Sequence, residues 1–228
     1  MAEPNLFDIF FYIITLGLPS TLLLTAFGLL GGFLLGIVLA LMRVYGAKEL
    51  QWLASGYEKI LRGIPILVLI YIFYIGLPGL FFFVDLRLLP LFSVIVALAL
   101  RSAAYQSQIF RGAILSVNPG QLEAALSLGM NKLQAFRNII FPQALRLAIP
   151  SWSNEYAVVI KDSSFAYGVG IVEITKASYD LGVGFHQSYV VALFVGAFLY
   201  LIFTYPVTRF FGERQSKKLK RLGMGGGQ

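Results

Sequence analysis

Across 228 residues the hydrophobic types make up 58% and the charged types only 13%, about half the charged share of an ordinary soluble domain. Mean hydropathy is +0.78, and a net charge of +7 in so apolar a chain points to basic loops beside a membrane rather than to nucleic acid. With no cysteine and one histidine, His186, a disulfide framework, a thiolate metal site, a cysteine nucleophile and a zinc cluster are all excluded.

Positions 1–8 are acidic and lack a basic leader, so no cleavable signal peptide is expected. A spanning helix needs about 20 mostly apolar residues. The first covers about 16–42, with no charge between Asp8 and Arg43. Gly28, Gly32 and Gly36 recur there at four-residue spacing, a small-residue stripe that would let a second helix approach closely, lipid-facing filler being the blander alternative. Over 43–62, Leu50, Leu53, Tyr57, Ile60 and Leu61 recur at helical spacing among Lys48, Glu49, Glu58 and Lys59. That pattern predicts an amphipathic helix at the interface. Gly63, Ile64 and Pro65 end it, because proline lacks the N–H and restricts its neighbour. The second span is about 66–83, followed by a turn with Asp85 and Arg87.

The third span, about 90–109, holds one cation, Arg101, beside a polar face of Ser102, Tyr105 and Gln106. The fourth, about 147–171, is irregular and contains Pro150, Asn154, Glu155, Lys161, Asp162, Ser163 and Ser164. A looser segment with Glu173, Lys176 and Asp180 precedes the last span, about 189–208. A basic tail covers 209–221, and the closing Gly-Gly-Gly-Gln is expected to be disordered. Segments 43–62, 111–146 and 209–221 share fourteen of the 18 Lys and Arg, against two on the opposite side. The positive-inside rule then gives an all-α membrane protein of five transmembrane helices, N-terminus outside and C-terminus cytoplasmic. Residues 1–228 read as one domain, with no internal repeat.

Within the cytoplasmic segment 115–146, Asn118-Pro119-Gly120-Gln121 is a helix start. A short helix to about Leu128 is predicted, with Gly129 as a left-handed cap. Asn131 with Gln134 repeats the start signal, so two short helices should meet at a glycine corner. Leu122, Ala125 and Leu126 would present an apolar face to a partner; a plain connector is the blander alternative.

Glu123-Ala124-Ala125, then Gly129, then Ile139 and Pro142 resembles the EAA motif of permease subunits of binding-protein-dependent ABC importers, with Phe141 where Leu is usual. Arg62-Gly63-Ile64-Pro65, Ser102-Ala103-Ala104-Tyr105, Ile109-Phe110-Arg111-Gly112, Asn154-Glu155 and Lys161-Asp162-Ser163-Ser164 resemble the polar amino-acid subgroup, of the histidine, glutamine and arginine type. Gln108 stands where Glu is frequent. The likeness covers about 15–212. It implies a multi-pass subunit of a prokaryotic cell membrane, in which Glu123, Ala124, Ala125 and Gly129 belong to a coupling helix seated on an ATPase. The implied partners are two nucleotide-binding subunits, a second permease copy (identical or paralogous), an extracytoplasmic amino-acid-binding protein and membrane lipid.

No Gly-Lys-Ser or Gly-Lys-Thr occurs, so no Walker phosphate loop exists here and ATP with its magnesium falls to the partner. No cofactor, metal or catalytic residue is expected in this chain. Intramembrane charges cost about 2.5–3.5 kcal/mol on insertion scales and face a cavity or a partner. Glu155 and Asp162, seven apart, share a helical face. With Ser163, Ser164, Arg101, Tyr105 and Gln106 they offer the donors and acceptors that an amino acid requires. A basic amino acid is indicated if the Glu155–Asp162 face is bare of cations. The alternatives are an Arg101 pair to Glu155 or Asp162 that only joins spans, or a Lys161-Asp162-Ser163 cap on a broken helix. Pro150, Gly168 and Gly170 are candidate break points.

Other function classes are an ATP-independent channel or carrier for small polar solutes, and an intramembrane enzyme. The enzyme lacks a Ser–His pair or His–Glu–x–x–His signature in the spans. A secondary carrier would be short and without repeated halves.

Overall fold

The computed structural model describes residues 4–76, 79, 82, 84–185 and 189–221. His186, the Gly-Gly-Gly-Gln end and positions 77, 78, 80, 81 and 83 of the second expected span lie outside them. The described residues form helices and no strand.

Helix α1, Leu6–Leu16, starts at a capping box: the Asp8 N–H donates to Asn5 Oδ1 at 2.9 Å. Gly17 stays in the right-handed region, and α2, Leu18–Tyr45, continues the line. The apolar run Leu6–Tyr45 is thus longer than the span expected over 16–42. Helix α3 is Lys48–Gly63. It bends by 103° into α4, Ile66–Tyr71, and the π-turn Ile72–Gly76. Helix α5, Leu89–Leu115, is the other partner of α2.

The glycine stripe sets the α2–α5 contact. A Cβ on Gly32 would lie 2.7 Å from Gln106 Nε2 and 2.8 Å from Ser102 Cβ. One on Gly36 would lie 2.9 Å from Gln106 Cβ. Only glycine lets the backbones close to this distance.

Helix α6, Pro119–Ser127, is followed by α7, Lys132–Ala135. Here the structure corrects the expectation of two stubby helices. The second runs on through a π-turn, Phe136–Ile140, into α8, Phe141–Asp162. Pro142 is the second residue of α8, directly after the π-turn. Pro150 sits inside α8 without ending it. The break comes later, in the 3₁₀ turn Ser163–Val169 and at Gly170, with φ +85°.

The segment expected to be loose is helix α9, Ile174–Gly184. Glu173 caps it, accepting from the N–H groups of Thr175 at 2.8 Å and Lys176 at 2.7 Å. Helix α9 packs on α1 and on α10, Tyr189–Val207, which continues through a π-turn, Thr208–Arg214, into α11, Gln215–Arg221. Three helical stretches, Leu6–Tyr45, Leu89–Leu115 and Tyr189–Lys217, are long and apolar enough to cross a membrane, and the bent α3–α4 pair makes a fourth candidate. The charged α8 does not meet that measure.

Candidate functional site

The α6 corner is built as its sequence implies. Asn118 Oδ1 accepts from Gly120 N at 2.8 Å, and the Asn131–Gln134 capping box is closed in both directions at 2.9 Å. Gly129 has φ +83°. Its N–H donates to Leu126 O, and the Met130 N–H to Ala125 O. That pair of bonds is a Schellman cap, which needs a residue free of the Cβ penalty at positive φ. Glu123 and Ala124 are exposed. Ala125 is not: it is 3% exposed, turned inward because α6 packs on the π-turn ahead of α8. The apolar face is therefore Leu122, Leu126 and Leu128, with Leu133 beyond the corner.

Polar side chains of α5 and α8 meet in two sets. In the first, the Arg101 guanidinium is ion-paired with the Asp162 carboxylate and lies 5.0 Å from the centre of the Tyr105 ring. In the second, Glu155 accepts from Ser102 Oγ at 2.7 Å. Gln106 donates to Leu29 O at 3.1 Å and to Ser102 Oγ at 3.0 Å, and accepts from Trp152 Nε1 at 2.9 Å. Glu155 is 4% exposed and Gln106 fully enclosed. Ser163 Oγ donates to Ile160 O at 2.7 Å, closing the last turn of α8, while Ser164 is half-buried at the break.

Glu155 and Asp162 do share one face of a continuous helix, but that face is not bare of cations, since Arg101 pairs with Asp162. On another face of α8, Ser151, Asn154, Val158 and Lys161 line an open groove of about 750 Å³, completed by Leu201, Thr204, Tyr205 and Thr208. Lys161 is exposed.

Glu58 was not singled out in the sequence and proves to be structurally central. It is 2% exposed. It accepts from Ser107 Oγ at 2.6 Å and from the Gln108 amide, and Arg43 Nε is 3.4 Å away. Carboxylate, guanidinium, hydroxyl and amide together join α2, α3 and α5. The signal was available: Ala54, Glu58 and Leu61 fall on one helical stripe, so Glu58 points inward with the apolar face. Glu173 is a second such residue, fully enclosed, accepting from Tyr200 Oη at 2.7 Å.

Residues 32–219 match the family described as the inner membrane component of binding-protein-dependent transport systems. The chain belongs to that family.

The permease is 39% identical over 197 residues to the nopaline transport system permease protein NocM of Agrobacterium fabrum, covering 84% of this chain and 81% of that one. It is 32% identical over 206 residues to the glutamine transport system permease protein GlnP of Escherichia coli K12, covering 90% and 92%. Among solved structures, an amino acid ABC transporter with histidines superposes with TM-score 0.77 at 29% identity, over 90% of the permease and 94% of that chain. An inward-facing MetNI methionine ABC transporter superposes with TM-score 0.73 at 20% identity, over 96% and 99%, a likeness of fold alone. The permease is therefore the membrane-embedded subunit of a binding-protein-dependent importer in a bacterial inner membrane.

Proposed function

We propose that this permease carries a polar amino acid, and that Arg101, Tyr105, Asp162 and Ser164 meet the cargo at the break between α8 and α9. The observation that carries this reading is an ion pair and an aromatic ring gathered where a helix is interrupted. Discontinuous helices leave unpaired backbone groups that a small zwitterion can satisfy. Glu155, Gln106 and Ser163 already spend their hydrogen bonds inside the chain, and their role in the site is to hold α5 and α8 in register. The names of NocM and GlnP, one a nopaline and one a glutamine transport system permease, support amino-acid-like cargo.

The chain acts as one domain over 1–228, with five crossings, α8, the break and α9 together making the fourth. The N-terminus is outside and the basic tail cytoplasmic. The 115–146 segment then lies in the cytoplasm, where α6 and the Gly129 corner dock into an ATPase. Two ATPase copies, a second permease copy and an extracytoplasmic binding protein complete the assembly. ATP and magnesium are held by the ATPase. Its closure favours one permease state over another, and the energy available is that difference in binding.

The test is reconstitution with its cognate ATPase and binding protein, in vesicles with and without internal ATP. Uptake of labelled glutamine, glutamate or arginine only when both partners and ATP are present is the expected outcome. Equal flux through the permease alone would favour an ATP-independent channel or carrier and overturn the proposal.

A further inference from the structure

Resting on that proposed site, we infer that Arg62 recognises the cargo: with Arg101 it receives a carboxylate beside Tyr105, and the cargo carries no net positive charge. Arg62 belongs to the last turn of α3, a helix expected to lie at the interface. The structure instead ties α3 to the middle of α5. Tyr57 Oη donates to Leu100 O at 2.8 Å, next to Arg101, and the Arg62 guanidinium stands 5.0 Å from the centre of the Tyr105 ring. Arg101 stands at the same distance from the same ring, so the two guanidinium carbons lie within about 10 Å of one another, by the geometry of a shared aromatic partner.

Their surroundings differ. Arg101 has the Asp162 carboxylate. Among the described residues Arg62 has no ion pair and donates no hydrogen bond, so it does not fold back onto the last carbonyls of α3. Tyr105 lies about 15 Å along α5 from its end at Leu115, at 1.5 Å per residue. A cation held at that depth faces a cavity or a counter-charge.

Arg62 and Arg101 thus face one accessible carboxylate, Asp162, because Glu155 is enclosed and bonded to Ser102. A site with this surplus attracts an anion and repels a cationic side chain. Guanidinium supplies the planar fork that a carboxylate accepts through both oxygens.

The permease is purified with its ATPase, without the binding protein, and titrated calorimetrically with L-glutamine, L-glutamate, L-arginine and L-glutamine amide. Wild type is expected to bind glutamine or glutamate at least tenfold more tightly than arginine or the amide. Arg62→Ala should lose about tenfold for the acids and nothing for the amide, because a charge-assisted bond is absent in both cases. Arg62→Lys should fall between, since it keeps the charge and not the fork. Equal affinity of wild type for glutamine and its amide, a preference for arginine, or unchanged acid binding in Arg62→Ala would overturn the inference. The amide comparison needs no variant, so it stands whether or not Arg62→Ala co-purifies with the ATPase. Wild type binding none of the four also overturns it. Failure of these titrations leaves the proposed function standing unless the full assembly, with its binding protein, also takes up no amino acid.

Discussion

Helix α5 is packed in two different ways, and the contrast separates what holds the permease together from what it transports. Against α2 the contact is dry and built on missing side chains: Gly28, Gly32 and Gly36 meet Leu98, Ser102 and Gln106 with no room for a methyl group. Toward α8 the contact is polar, through Arg101–Asp162 and Ser102–Glu155, and beyond α8 lies an open groove. Small-residue packing lowers energy by close dispersion contact and fixes one arrangement. A polar contact beside a cavity is able to exchange partners with a solute. The first contact is the frame; in the second, Ser102–Glu155 keeps the register and the Arg101–Asp162 pair is the part open to exchange.

Substitutions rank by which side they touch. Gly32→Leu should have the largest effect: it forces α2 off α5, and nearly all permease recovered with the ATPase from solubilised membranes should be lost. Normal recovery would mean the dry contact is dispensable and the contrast false. Next, Asp162→Ala leaves Arg101 without its partner, at a cost of about 3 kcal/mol, the low end for orphaning a buried charge, since both side chains keep some exposure. Uptake should fall to background and the thermal midpoint of the complex should drop. Adding Arg101→Ala should restore the midpoint but not the uptake. Restored uptake in the double variant would make the pair a joint only.

A smaller effect is expected at the knob. Gly129→Val places a β-branched residue at φ +83°, a strain of about 1–2 kcal/mol. The spans should insert and transport should drop several-fold in vesicle assays; wild-type transport would remove the corner from the coupling path. The smallest is Glu58→Gln, which strips the charge opposite Arg43. A loss of about 1 kcal/mol in unfolding free energy is expected, the difference between a hydrogen bond to a charged group and one to a neutral group. Combined with Arg43→Gln the losses should be less than additive, the mark of a direct contact.

Much of this was legible in the sequence, for identifiable reasons. The α2 glycines, the Asn131–Gln134 box and the Gly129 cap are local rules, and local rules survive folding. Asp162 and Arg101 were marked by the cost of charge in an apolar span. What sequence could not supply was choice among partners. Either carboxylate was a candidate for Arg101, and only the rotation of α8 against α5 selects Asp162 and leaves Glu155 to Ser102. Pro150 looked like a helix stop, yet the helix absorbs it and breaks at Gly170. The charge on Glu58 masked its place on the apolar stripe of α3, and Arg62 was counted with the cytoplasmic cations of 43–62 until α3 was found against Tyr105.

The uninterrupted helical path from Lys132 to Asp162 has one more consequence. At 1.5 Å per residue it is about 45 Å long, with one end at the glycine corner and the other at the carboxylate. Under the proposed docking, a push at the corner would travel to the ion pair along one backbone, whose only points of give are the π-turn Phe136–Ile140 and Pro150.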